Sequence, residues 1–260
     1  MTSSTTLRRG AKPNVSAPRP DSHPAVCTAC GANTTVPFIP RPNQAIYCQS
    51  CFRLQNRQNP SASQVNPVDN ARFADVFPDI TLMPSTRVAV GEMGIKDPTP
   101  IQSATIPAML AGKDVIGQAR TGSGKTLAFA IPMVEQADPS KRGVQALVLV
   151  PTRELAQQVL EVLDDLGRSY GLRTVGLLGG HALKRDFAAL REQPQIVVGT
   201  PGRIIDHLRR ETLSLRHVGY AVLDEADQML DIGFLPDIRR ILGRTPRRRQ
   251  TALFSATMPT

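Results

Sequence analysis

The chain has 260 residues, 41% of them hydrophobic and 20% charged, with a formal net charge of +9. That composition describes a globular protein with room for one ordinary domain and an appendage, and no apolar run approaches the ~18 residues of a membrane span. The first twenty residues hold no apolar stretch, which excludes a secretory signal and points to the cytoplasm.

The positive balance favours a polyanionic partner, although a basic protein can also simply be soluble and basic. Residues 1–75 carry eight Lys/Arg against three Asp/Glu, and a second basic cluster is Arg244, Arg247, Arg248 and Arg249. Aromatic residues make up 4% of the chain with no Trp, so base stacking on an aromatic platform is not the expected binding mode.

Taken in chain order, residues 1–24 are rich in Ser, Thr, Pro and Arg without periodicity and read as a disordered basic arm. All four cysteines fall in residues 25–54. Cys27-x2-Cys30 and Cys48-x2-Cys51 are separated by 17 residues, within the spacing of a tetrahedral zinc site, zinc-ribbon-like in pattern. Two disulfides are the alternative, disfavoured inside a cell, and His23 is a minor candidate to replace one ligand. The role of this segment is open between RNA contact, protein contact and plain structure. Residues 55–70 are polar and read as a linker, and residues 71–260 form the main domain.

From about residue 71, short apolar runs alternate with helix-compatible stretches. Strands are expected at Val115–Ile116, Ala146–Val150, Thr174–Leu178, Ile196–Val198, Ala221–Leu223 and Thr251–Phe254, with helices such as Glu154–Gly167 and Arg203–Arg210 between them. This alternation predicts an α/β fold, a parallel sheet with helices on both faces. In such sheets the ligand crevice lies beyond the carboxyl ends of the strands. The segments at the ends of all six runs carry Gly, Thr, Asp, Glu, Lys or Arg, which places the chemistry on one edge.

After the first of these runs comes Ala119, Arg120, Thr121, Gly122, Ser123, Gly124, Lys125 and Thr126, a Walker A loop with Ala in place of the usual first Gly. Gly122 and Gly124 let backbone N–H groups turn toward phosphate oxygens, Lys125 can reach the β- and γ-phosphates, and the Thr126 hydroxyl can ligate magnesium. A helix opening here aims its positive end at the same anion. Val222 and Leu223 lead into Asp224-Glu225-Ala226-Asp227, where Asp224 can hold magnesium and Glu225 can orient or deprotonate the attacking water. Adjacent carboxylates on a strand point to opposite faces, so these two share a site only if the chain turns between them.

Seven motifs in order carry a family resemblance: Gly94-Ile-Lys-Asp-Pro-Thr-Pro-Ile-Gln102, Ala119–Thr126, Pro151-Thr-Arg-Glu-Leu-Ala156, Gly179-Gly180, Thr200-Pro-Gly-Arg203, Asp224–Asp227 and Ser255-Ala-Thr257. From about Phe73 onward the chain resembles the N-terminal RecA-like domain of the DEAD-box RNA helicases. The resemblance implies that Gln102 reads the adenine edge of ATP and that Thr99 and Pro100 shape the adenine loop. It also implies that Phe77, 17 residues before Gly94, packs on the base; Phe73 is the competitor, and a buried core aromatic is the plain alternative. Lys125, Asp224 and Glu225 would be catalytic. Ser255 and Thr257 would couple Asp227 to the RNA-gripping conformation.

Pro151, Thr152, Arg153, Gly180, Thr200, Gly202 and Arg203 would contact RNA. None reads a base edge, so binding of the sugar–phosphate backbone without sequence preference is expected; for Arg203 a helix-start salt bridge is the rival reading. The family's second RecA-like domain supplies further RNA contacts and arginine fingers worth ~10³–10⁵ in rate. No HRxGR-type motif occurs before Thr260, so the chain is expected to be a fragment, a truncated product or a half that works with another chain, and to turn ATP over poorly by itself. The competing classes are a non-catalytic ATP- and RNA-binding regulatory module and a DNA-directed helicase.

Overall fold

The computed structural model describes residues 23–26, 28, 33–36, 46, 67–180 and 182–257. It contains two compact units, Met1–Pro60 and Ser61–Thr260. In the first, β1 (His23–Val26) pairs antiparallel with β2 (Asn33–Val36), His23 opposite Val36 and Val26 opposite Asn33. The Thr28 amide donates to the Ile46 carbonyl at 2.6 Å, and the Thr28 hydroxyl accepts from the Ile46 amide at 3.0 Å. That closed pair ties the residue after Cys27 to a segment two residues ahead of Cys48. The cysteines themselves lie outside the described residues, as does most of the arm assigned to 1–24. One boundary moves: β1 starts at His23, inside the expected arm, because cross-strand pairing with Val36 extends the hairpin beyond the Cys-bearing stretch.

The second unit opens with α1 (Pro67–Arg72), which begins inside the segment read as linker. Asp69 in its first turn and Arg72 in its last suit the helix dipole. There follow α2 (Pro84–Glu92), α3 (Pro100–Leu110), β3 (Val115–Gln118), α4 (Lys125–Gln136), β4 (Ala146–Leu149), α5 (Arg153–Arg168) and β5 (Thr174–Leu177). The remainder is α6 (Leu183–Arg191), β6 (Ile196–Gly199), α7 (Pro201–Arg209), β7 (Tyr220–Leu223), α8 (Ala226–Asp231), α9 (Leu235–Leu242) and β8 (Gln250–Ser255). Six strands form one sheet in the order β3-β8-β7-β4-β6-β5, every pair parallel. All six strands expected from the apolar runs are present.

Strand alternation builds two cores. Along β4, Ala146, Val148 and Val150 face one core, which is closed by α2, α3, α4 and α5. Leu147 and Leu149 face the other, closed by Ile204 and Ile205 of α7, Met229 of α8 and Ile238 and Ile241 of α9. Because both faces are covered, the central strands read as unbroken apolar runs rather than alternating ones. On β3, Gly117 stands where a Cβ would press within 2.6 Å of the Phe254 ring, so the smallest residue lets the Phe129–Phe254 pair, 5.6 Å between centroids, fill the space. Among the described residues no helix is long and apolar enough to cross a membrane.

Candidate active site

Every strand of the sheet runs the same way, so the segments after the six strands converge on one edge. The sheet order sorts them. Ala119–Thr126 follows β3, Ser255–Thr257 ends β8, and Asp224–Asp227 follows β7; these three strands are neighbours. Pro151–Arg153, Thr200–Arg203 and Gly179–Gly180 follow β4, β6 and β5, the other three. The edge thus has a half made of the glycine loop and the carboxylates and a half of Gly, Thr and Arg.

In the first half, Gly122 (φ 79°) and Gly124 (φ 89°) take left-handed conformations that turn the loop onto the start of α4. Lys125 is buried, and its ammonium donates to the Ala119 carbonyl at 3.0 Å. The Ala119 amide in turn donates to the Ser255 carbonyl at 3.0 Å. One buried hydroxyl of this loop, Ser123 Oγ, has no hydrogen-bond partner, which suits a site built for a polar ligand.

Gln102 is 1% exposed, and both ends of its amide are engaged. Its Oε1 accepts from the Thr99 amide at 2.9 Å and its Nε2 donates to the Gly124 carbonyl at 3.0 Å. In this state the side chain clasps the Thr99 loop to the glycine loop and does not present a free edge to a base. Phe77 is fully buried in the apolar core, with its amide donating to the Lys96 carbonyl at 2.9 Å, and offers no ring face to a ligand. Its ring belongs to the core cluster that also contains Val76, Ile80 and Leu82. Phe73 does not replace it, since its ring packs against Gly91 and under the Arg72 guanidinium.

The turn needed between the two carboxylates is present, because Glu225 has φ 51° and the Asp224 carboxylate accepts from the Glu225 amide at 3.0 Å. The Thr121 hydroxyl donates to Glu225 Oε1 at 3.5 Å, bridging the phosphate loop to this turn. Asp224 is 2% exposed. Burial raises its carboxyl to about 6, against the pull of the Lys125 ammonium and the Glu225 amide and with the push of the Glu225 and Asp227 charges.

Asp227 behaves oppositely. Burial pushes its carboxyl up, but the Thr257 hydroxyl and amide, the Ser255 hydroxyl and the Gln228 amide together outweigh that and hold it down to about 2. Its Oδ2 accepts from the Thr257 hydroxyl at 2.8 Å and from the Thr257 amide at 2.9 Å. The Asp227 amide donates to Ser255 Oγ at 3.2 Å, and that hydroxyl donates to the Thr257 carbonyl at 2.6 Å. Asp227, Ser255 and Thr257 therefore form one closed hydrogen-bonded loop.

In the other half, Thr152 caps α5 by accepting from the Leu155 amide at 3.2 Å, which leaves Arg153 at the helix start. The Arg153 guanidinium lies against Gly180, whose φ of 86° and missing Cβ make that approach possible. Thr200 occupies the N-cap position of α7 without a side-chain cap bond, and Gly202 has open space around it. Arg203 is buried and donates to Asp186 at 2.7 Å; His207, one turn along α7, reaches the same oxygen at 2.9 Å. The salt-bridge reading of Arg203 therefore describes this state. Sequence reasoning passed over Asp186 and His207. The i, i+4 spacing of Arg203 and His207 was the signal that both could face one buried acid.

Among the described residues no group of three or more His, Cys, Asp or Glu could hold a metal by itself. Thr126 and Asp224 alone would leave most of a magnesium shell to water or a ligand's oxygens, which is usual for this ion.

Comparisons with known proteins agree with this geometry. A sequence model of the DEAD/DEAH box helicase family matches residues 99–260, and one for a probable treble clef zinc finger matches residues 21–56. A DEAD-box ATP-dependent RNA helicase CshA of Geobacillus kaustophilus is 52% identical over 183 residues, covering 70% of this chain and 39% of that protein. An ATP-dependent RNA helicase DeaD of Mycobacterium tuberculosis is 52% identical over 190 residues, covering 73% of this chain and 34% of its own. The crystal structure of a DEAD box protein from Methanococcus jannaschii superposes with a TM-score of 0.68 at 43% identity, over 71% of this chain and 50% of that one. The fold is thus RecA-like, and this chain spans less than two fifths of the length of these two relatives.

The perturbed carboxyl yields a stability test. Folded Asp224 holds its proton up to about pH 6, whereas the ordinary carboxyl value is 3.8. Ionised Asp224 therefore costs stability above pH 6, and the cost fades as pH falls toward the unfolded value. Asp224→Asn should stabilise the nucleotide-free protein at pH 7.5, by at most about 3 kcal/mol. Urea unfolding should show that advantage shrinking between pH 6 and pH 4. An Asn variant of equal or lower stability throughout would contradict the desolvation of Asp224.

Proposed function

This chain belongs to the DEAD/DEAH box helicase family, and on that premise we propose that it forms the ATP- and RNA-binding N-terminal half of an ATP-dependent RNA helicase. The single observation that carries the proposal is the convergence of the glycine loop, the Asp224–Glu225 turn and the Asp227–Ser255–Thr257 loop on three adjacent strand ends. The full reaction requires a second RecA-like domain, in cis or in trans, to add arginine fingers and close the site. The assigned domains are a basic arm over residues 1–24, a zinc module over 25–54, a linker over 55–70 and the RecA-like unit over 71–260.

The residues fit ATP with magnesium. Lys125 exchanges its bond to the Ala119 carbonyl for phosphate oxygens, while the loop amides of Arg120 to Gly124 and the start of α4 supply further positive potential. Burial of Asp224 beside Lys125 makes a carboxylate that gains by meeting a cation. Thr126 Oγ1 and the Asp224 carboxylate would hold the magnesium ion, which screens phosphate charge when bound. Glu225, turned into the site by its left-handed backbone, accepts a proton from the attacking water at Oε1. Gln102 and Thr99 lie at the loop where the adenine would sit; reading its edge requires Gln102 to release Thr99 or Gly124, so occupancy would be felt by the phosphate loop itself.

On the other half, the Thr152 and Thr200 hydroxyls, the Gly180 and Gly202 backbone and Arg153 present donors suited to phosphate oxygens of RNA. Pro151 stands at the bend between β4 and the α5 cap. For Arg203 the proposal is narrower. It contacts RNA phosphate only by sharing or leaving Asp186. The Asp227–Ser255–Thr257 loop joins the Ala119 amide to the turn bearing Glu225, which supports its coupling role.

Lys125→Ala should lower ATP affinity by tenfold or more in isothermal titration, whereas Glu225→Gln should leave it nearly intact. Steady-state ATP turnover by residues 1–260 should stay near background with or without RNA and should appear when a second RecA-like domain is supplied. Robust RNA-stimulated turnover by this chain alone would contradict the division of labour and would also remove the regulatory-module alternative.

Four thiols at Cys27, Cys30, Cys48 and Cys51, the treble clef match and the Thr28–Ile46 pairing support a bound zinc ion. So small a segment has too little apolar surface to fold unaided, which makes metal binding its folding energy. Elemental analysis of protein prepared without chelator should find close to one zinc per chain. Cys48→Ser should abolish amide-exchange protection in residues 25–54 while sparing residues 71–257. Absence of zinc defeats the site, and loss of protection in both regions would show a single merged domain.

A further inference from the structure

The opposite ends of the same strands carry a second surface. Three depressions of about 530, 290 and 270 Å³ adjoin there, Arg142 lining all of them. They share His217 between the first and second and Gln193 between the second and third, so they read as one groove along the N-terminal edge of the sheet. Its cations are Lys141, Arg142, Arg173, Arg191 and Arg216, against Glu192 as the one lining carboxylate.

Local pairing does not silence this charge. Lys141 meets Asp138 at 3.4 Å and Arg173 meets Glu192 at 3.5 Å, both in exposed geometry worth little in water. Arg142, Arg191 and Arg216 make no ion pair among the described residues. The basic surface also continues past β7: Arg247 and Arg248 are exposed just before Gln250, which pairs with Tyr220 across the ladder.

A solvated basic face would need no buried polar group left open. Here one is open. Tyr220 lines the largest depression and is 4% exposed, yet its hydroxyl has no partner, and the neighbouring Gln250 Oε1 is likewise unpartnered. Buried polar atoms are almost always satisfied, and an external acceptor would satisfy the hydroxyl.

We infer that this groove binds the phosphate backbone of a nucleic-acid strand, as a second contact on the face opposite the strand ends that bear the ATP loop. Length and spacing favour a strand over a small anion, because the cations are strung along connected depressions instead of converging in one pocket. No aromatic platform lines the groove, so the contact is to backbone and indifferent to sequence. Binding there needs no nucleotide and would hold RNA between cycles of the catalytic edge.

The test uses the full chain with Arg142→Gln, Arg191→Gln and Arg216→Gln combined, all three exposed. Fluorescence anisotropy with a labelled single-stranded oligonucleotide, without nucleotide and across salt concentrations, should show affinity falling about tenfold. The slope of log affinity against log salt should drop by about 2, from three lost phosphate contacts at ~0.7 each. ADP affinity should not change. Unchanged RNA affinity and slope overturn the inference, as does an effect limited to inorganic phosphate with RNA binding intact. Arg153→Gln in the same assay reports on the catalytic edge separately, so failure of one reading is distinguishable from failure of the other. On the wild-type chain, 4-thiouridine cross-links should fall within residues 139–146, 190–195 or 212–220; cross-links confined to 151–153, 179–180 and 200–203 would also overturn it.

Discussion

Six parallel strands impose one constraint from which the rest follows: whatever comes after each strand arrives at the same edge. Parallel ladders also demand crossover helices on both faces, and the helices bury the central strands completely. Chemistry is thereby confined to short loops held at both ends, by a strand behind and a helix ahead. That is why Gly122, Asp224 and Thr200 can line one edge of the sheet while lying far apart in sequence. Strand order then divides the edge between β7 and β4, and the division separates the glycine loop and the carboxylates from the Gly, Thr and Arg of the other half.

Within the first half, electrostatics and hydrogen bonds are unevenly spread. Asp224 is desolvated and raised to about 6, while Asp227, three residues on, is held to about 2 by donors from Thr257 and Ser255. One carboxylate is desolvated beside Lys125; the other is already satisfied by hydrogen bonds from the protein. Glu225 between them stands at φ 51°, a conformation costing about 1–3 kcal/mol for a residue with a side chain. The turn exists because Asp224 caps the following amide and α8 begins at once. Functional strain of this kind needs the surrounding sheet to hold it.

Much of this was legible from residue order. The six apolar runs, each ending in polar or glycine-rich punctuation, correspond to six observed strands, because a buried parallel strand has no room for polar residues and a functional loop has no room for others. Asp227, Ser255 and Thr257 are joined by hydrogen bonds across 28 and 30 residues. Side-chain state was not legible. Gln102 closes a local capping box with the Thr99 amide three residues back, but its bond to the Gly124 carbonyl spans 22 residues and no local pattern encodes it. Phe77 is an aromatic at an apolar position, and spacing alone cannot say which way its ring turns. Arg203 found Asp186, a residue whose sequence context (Leu183 to Arg191) reads as an ordinary amphipathic helix. At the N-terminus, pairing of His23 with Val36 shifted a boundary that composition had drawn at residue 24.

The central claim is that one strand-end edge takes up ATP and that its three loops respond together. Amide hydrogen exchange of the wild-type chain, with and without saturating ATP and magnesium, tests it most directly. The account predicts added protection in residues 119–126, 224–228 and 255–257 at once, with none at residues 139–143 on the opposite edge. Unchanged exchange in the glycine loop, or protection confined to the opposite edge, would contradict it.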